Sequence, residues 1–370
     1  MTRIASGCTD EEAKEALEWH EEHITSAMSD SFGLHLTPHF SSVTRNGKVI
    51  GDYEYFDKPF GLKHWLENGD GIGIDPDTGK LIDENIVVIL IDPDMLLLRP
   101  ISADFSNERE TIFAVKEEWV TKVQHGKPFA QMYELGTQWI TFGLDIIAGS
   151  TSPAKDVAKN EAANHYPVGP PYLATGRDMY EIALKWSEFV PKVHAEYPYL
   201  LAEMFAFCIA AAHLKLPHKL VKSMMISNSG AVASEGWSFV DQIPAHEICD
   251  VASNPDHEKY PVPNVLHYCQ RYIVGDWLFS KRKMTTDFFS CESPMMEVPP
   301  SSLGMLKYAV KPPSSGEKVD LSDTMAKREA FLICGIISLL NEAADFYKWM
   351  HCQGGEVPTH HDKTLNLAKS

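Results

Sequence analysis

Positive charge is scarce in this chain: 33 Lys and Arg stand against 51 Asp and Glu, a formal net charge of −18. An extended nucleic-acid surface needs clustered cations that displace counterions, so no nucleic-acid partner is expected. The seven cysteines (Cys8, Cys208, Cys249, Cys269, Cys291, Cys334 and Cys352) include no Cys-x-x-Cys pair, which removes the usual zinc and redox motifs. Their odd number leaves at least one thiol free if any pair, and the redox compartment stays open. No uncharged run reaches the roughly 18 residues of a membrane span, and the opening MTRIASGCTDEEAKEALEW has no apolar h-region. Internal repeats and Asn-x-Ser/Thr sequons are also missing. Apolar residues are not scarce: 44% of 370 residues suffices for a sizeable core, in one large domain or two ordinary ones.

Helical and strand-like segments alternate. Residues 10 to 30 read as an acidic helix, 34 to 56 as strand-like pieces, 58 to 68 as a short helix, and 69 to 85 as an exposed turn. Asp75-x-Asp77-x-Gly79 is a fragment of a calcium loop without its closing Glu, so turn chemistry accounts for it. A strand is expected at 86 to 91, with further strands in TIFAVKEE and WITFGLDIIAG. In RDMYEIALKWSEFVPKV the residues Met179, Ile182, Ala183, Trp186, Phe189 and Val190 follow helical spacing. YPYLLAEMFAFCIAAAHLKL is apolar nearly all round and reads as a core helix behind Pro198. Alternation of this kind predicts an α/β fold with a mainly parallel sheet buried on both faces, whose ligands bind beyond the strand ends.

NIVVILIDPDMLLLRPI puts Asp92 and Asp94 at such an end. Their spacing sends both side chains to one side of an extended backbone, with Pro93 holding the kink. Two carboxylates there suit a divalent cation, which can in turn hold a diphosphate. A haloacid-dehalogenase-like phosphatase also uses Asp-x-Asp, but has Thr or Val where Leu96 stands, and no later Gly-Asp-x-x-x-Asp follows a strand. The other chemistry is a nucleotide-sugar glycosyltransferase of GT-A architecture. In VPNVLHYCQRYIVGDWLFSKRK, His267 ends a short apolar strand and offers a third ligand. Gly275 and the basic Lys281, Arg282 and Lys283 follow, and a cation there can cover a leaving phosphate.

ILIDPDMLLLRPI, VGPPYLATGRDMYEIALKWSEFVP, YPYLLAEMFAFCIAAAHLKLPHKL, SEGW and LHYCQRYIVGDWLFSKRKMTTDFFSCESP together resemble the plant and algal family of hydroxyproline O-arabinosyltransferases and peptidyl serine α-galactosyltransferases. The resemblance covers most of residues 1 to 300. It implies a GT-A-like, Rossmann-type α/β domain, a Mn²⁺ or Mg²⁺ ion, a UDP-sugar donor, and a secreted or wall glycoprotein peptide as acceptor, in the Golgi or endoplasmic reticulum lumen. Asp92 and Asp94 would hold metal and donor, and His267 would be the late metal ligand. The sugar, arabinose or galactose, stays undecided. The alternative from another class is a non-catalytic binding or scaffold protein that keeps the fold.

Glu203 is the only charge between Pro198 and His213, and a buried carboxylate needs a partner. It is either a catalytic group contacting donor or acceptor, or a first- or second-turn acid stabilised by the helix N-terminus. The stretch 168 to 179 reads as a rigid extended turn on the donor side. Gly169 and Arg177 are its donor candidates, and Asp178 reads as a helix N-cap. Glu235 and Trp237 of SEGW are candidate acceptor residues, with a core Trp as the equal alternative. The expected divisions are a glycosyltransferase domain over 1–298, a Pro/Ser linker over 299–321, a helix over 322–352 and a flexible tail over 353–370. In the family, a block like TRIASGC follows a first strand and helix, so a first βα unit and any signal or anchor are expected to be missing from this chain, with weakened nucleotide affinity as the consequence.

Overall fold

The computed structural model describes residues 1–352, apart from 26–30, 46, 71, 109–110, 116–119, 232, 256–257 and 311–315 and the side chain of residue 45. The expected tail at 353–370 lies outside the described residues, as do parts of the expected linker and of TIFAVKEE. The chain divides into two compact units, one of residues 1–90, 103–107 and 114–220, the other of 91–102, 108–113 and 221 onward. Elements are numbered along the chain.

The first unit begins with β1 (Thr2–Ser6), α1 (Asp10–His20) and β2 (Gly33–Thr37), in which β1 and β2 pair in parallel. Thr9 caps α1 in a complete capping box with Glu12. A hairpin of β3 (Ser42–Arg45) and β4 (Lys48–Asp52) leads to α2 (Asp57–Asn68). The main sheet has β5 (Val87–Leu90), β7 (Phe129–Met132), β8 (Val168–Thr175) and β9 (Lys219–Val221) in the order β5-β8-β7-β9. Both partners of β8 run antiparallel to it, so the mixed α/β class stands while the expected mainly parallel sheet does not. The apolar run of β5 is not buried on both faces as expected, since β5 is an edge strand with Ile89 exposed; it is the central β8 that is buried at every position, and burial does not fix strand direction. The stretch read as a turn is therefore the centre of this sheet. Pro170 and Pro171 have no N–H to donate, and the ladder skips them: Ala130 pairs with Tyr172 and Gln131 with Gly169.

Two helices cover this sheet. α5 (Gly176–Glu196) buries Met179, Ile182, Ala183, Trp186, Phe189 and Val190, the face predicted from its periodicity. α6 (Ala202–His213) is buried from Ala202 to Ala212 and starts four residues beyond Pro198. The Trp186 indole donates to the Glu203 carbonyl at 2.8 Å, which satisfies its N–H inside the core. WITFGLDIIAG forms no strand: it makes a 3₁₀ turn at Gln138–Thr141 and the short α3 (Leu144–Ile147). α4 (Lys159–His165) then leads into β8.

In the second unit β6 (Met95–Leu97), β10 (Met225–Ile226) and β11 (Val265–His267) form a small sheet of order β10-β11-β6. α7 (Trp237–Val240) and α8 (Ile248–Ser253) precede β11, and the hairpin of β12 (Arg271–Val274) and β13 (Trp277–Ser280) follows it. Gly275 opens the turn of that hairpin at φ +58°, a conformation glycine adopts without cost. The stretch expected as a linker holds a 3₁₀ turn and a β14–β15 pair (Tyr308–Val310 with Lys318–Asp320). α9 (Asp323–His351) is capped by Ser322, and its apolar stretch is long enough to cross a membrane. That stretch is 61% buried within the structure, where it packs on α8. Disulfides join Cys249 to Cys334 and Cys291 to Cys352, while Cys8, Cys208 and Cys269 are free thiols.

Candidate metal centre

The second unit opens with the turn that carries Asp92 and Asp94. The Met95 amide donates to the Asp92 carbonyl at 3.2 Å, which closes the turn around Pro93 and Asp94. β6 then runs antiparallel to β11 with Met95 opposite His267, and the Tyr268 amide donates to the Asp94 carbonyl at 3.0 Å. This register brings the end of β11 beside the turn. Asp92, Asp94 and His267 consequently converge, with one ligand atom from each all within 4.8 Å of one another. Among the described residues this is the only group of three His, Cys, Asp or Glu that close.

The fit to a divalent cation follows from the donors. Asp94 Oδ1 lies 3.0 Å from His267 Nε2. Two ligands at right angles, each about 2.1 Å from an octahedral ion, stand about 3.0 Å apart, so this edge matches one cation without rearrangement. Two hard oxygens and an imidazole suit Mn²⁺ or Mg²⁺. His267 is held in place: it is 8% exposed, and its carbonyl accepts from the Tyr272 hydroxyl at 2.9 Å.

Lys281 joins the cluster. It follows β13 directly, so the hairpin returns it over the turn, where its ammonium donates to Asp94 Oδ2. Burial opposes ionisation of Asp94, but His267 and Lys281 outweigh it and hold the carboxyl well below the usual carboxylate range. Burial likewise opposes charge on His267, and hydrogen bonds to Asp94 and Cys269 reverse this and raise the imidazole to about 10. The ammonium of Lys281 is raised as well, Asp94 outweighing its desolvation.

The other candidates make contacts of their own. In the first unit, Gly169 sits in β8 beneath the Tyr133 ring, which a Cβ would strike. Arg177 binds Asp178 Oδ1 through two nitrogens, at 3.3 and 3.2 Å. The N-cap of α5 is Thr175 and not Asp178, which instead accepts from the Gly126 amide at 2.6 Å from the first turn. Glu203 is 2% exposed and pairs with Lys58 at 3.2 Å, a partner the sequence did not reveal. In the second unit, Glu235 accepts from the Ser227 amide and hydroxyl, both at 2.6 Å, and so fastens a loop. Trp237 is fully buried, its N–H on the Asn228 carbonyl at 2.8 Å and the Arg328 guanidinium 5.2 Å over its ring. It has no open face for an acceptor. Lys58 and Arg328 were missed because both lie far along the chain from their partners.

Compared with protein-family models, with curated proteins and with solved structures, the chain matches none.

Proposed function

We propose that Asp92, Asp94 and His267 hold a divalent cation that anchors the diphosphate of a UDP-sugar, and that the chain is a metal-dependent glycosyltransferase of GT-A-like architecture. The observation that carries this reading is the convergence of those three side chains in one unit. When bound, the ion would neutralise charge on the departing diphosphate. Asp92 and Asp94 supply the charge that binds it, His267 fixes its position, and Lys281 offers a further cation to a phosphate oxygen. The resemblance supplies the rest of the proposal: arabinose or galactose moved to hydroxyproline or serine of a secreted glycoprotein in the Golgi or endoplasmic reticulum. Two disulfides suit such an oxidising lumen. Gly169, Arg177 and Glu203 belong to the first unit.

The test is UDP release from UDP-galactose and UDP-arabinofuranose with Mn²⁺, with and without a hydroxyproline-rich peptide. Release that needs both Mn²⁺ and Asp94 supports the transferase. Saturable binding of UDP and Mn²⁺ with no release from either donor would leave a binding protein in its place.

A further inference from the structure

Asp94 offers both of its oxygens to bases, Oδ1 to His267 and Oδ2 to Lys281. Lys281 is 40% exposed and Asp94 17%, so the ammonium caps the carboxylate from the solvent side. Arg282 and Lys283 follow in the same 3₁₀ turn, but Lys281 is the one whose nitrogen reaches Asp94. A site meant only to bind a bare cation gains nothing from an ammonium on one of its ligands. The like charge opposes the ion, and ammonium and ion draw on the same carboxylate.

The charges around the cluster resolve this. With a neutral imidazole as ligand, Asp92 and Asp94 contribute two negative charges and Lys281 one positive, leaving one net negative charge. A dication alone turns that into a net positive charge in a partly buried place. A dication that arrives with a diphosphate does not, and the phosphate oxygens then have the ammonium as a charged donor. Resting on the metal reading above, we infer that Lys281 makes this site select a divalent cation paired with a diphosphate over the cation alone. The coupling is reciprocal: UDP tightens Mn²⁺ by the factor by which Mn²⁺ tightens UDP, and Lys281 sets much of that factor.

The experiment is titration of the full chain with Mn²⁺, free Mn²⁺ being counted by electron paramagnetic resonance, with and without saturating UDP. Wild type is compared with Lys281→Met, Lys281→Arg and Asp94→Asn. Lys281→Met should bind Mn²⁺ alone about fivefold tighter, the upper end of what one exposed ion pair contributes, and should lose most of the gain from UDP. Lys281→Arg, which keeps the charge, should stay near wild type. Circular dichroism checks the fold, and Lys281→Gln replaces Lys281→Met if that variant is misfolded. The inference is overturned if wild type binds Mn²⁺ through Asp94 while the neutral variants bind bare Mn²⁺ equally or more weakly, or keep the full UDP gain; the metal reading then survives. Wild type that binds no Mn²⁺ with or without UDP removes both.

Discussion

Asp94→Asn keeps the volume of the side chain and removes its charge, so it separates the role of Asp94 in the fold from its role toward a cation. In the fold, the His267 contact at 3.0 Å is a charged hydrogen bond of a class contributing about 1.5–3 kcal/mol. The Lys281 contact is 40% exposed on the lysine side and adds about 0–1 kcal/mol. Part of this returns, because an imidazole without its carboxylate goes neutral and leaves no unpaired buried charge. A net loss of about 1–2 kcal/mol follows, a fall of roughly 2–8 °C in Tm for the transition that reports the second unit. His267 is raised from its ordinary 6.5 to about 10, so its part of the stabilisation is fully present below pH 6.5 and fades as pH rises through 10. Asp94 is depressed, so its part is present above the ordinary carboxylate value and is lost in acid. The deficit is therefore measured near pH 6. Toward the cation the loss is larger: Mn²⁺ at about 100 times its Kd should stabilise wild type by about 2.7 kcal/mol. The variant should need about 10²-fold more Mn²⁺ or show no shift. Differential scanning fluorimetry with and without Mn²⁺ reads both effects. An Asp94→Asn protein that keeps the full Mn²⁺-dependent rise in Tm would show that Asp94 does not hold the cation.

Glu203→Gln should destabilise the first unit by about 1–3 kcal/mol, because it leaves Lys58 without its buried partner. Adding Lys58→Met should recover part of that in urea unfolding, and a cycle with no coupling would deny the pair. His218 is 1% exposed and burial pushes its imidazole down to about 3. The unfolded chain thus takes up a proton below pH 6.5 that the folded one refuses. Stability should fall by up to about 1.4 kcal/mol per pH unit from 6.5 toward 3, and His218→Asn should flatten that slope in urea midpoints at pH 7 and 5. Gly169→Ala drives a methyl into the Tyr133 ring and should cost about 1–3 kcal/mol, which Tyr133→Leu relieves; unchanged stability would mean that the ring does not close over Gly169.

The convergence of Asp92, Asp94 and His267 was legible because an apolar strand seldom ends in two carboxylates, and because His267 ends an equally apolar strand. The helices α5 and α6 were legible for a related reason, since one-faced and all-round apolar patterns report different depths of burial. Strand direction was not legible: the apolar run of β5 and the buried β8 would look alike in a parallel or an antiparallel sheet. Pro170 and Pro171 argued for a turn, and only their being skipped in the ladder with β7 shows how a central strand accommodates them. WITFGLDIIAG has strand composition, but its Gly143 begins a tight helical turn. The partners of Glu203 and Trp237, and the two cysteine pairings, depend on contacts between distant segments that no local pattern encodes.

The most direct measurement is an X-ray structure of crystals soaked in Mn²⁺, with data collected at the manganese absorption edge. A cation held by these three side chains gives one strong anomalous peak about 2.0–2.3 Å from carboxylate oxygens of Asp92 and Asp94 and from Nε2 of His267. A map with Mn²⁺ bound elsewhere and no anomalous density among these three side chains would contradict it.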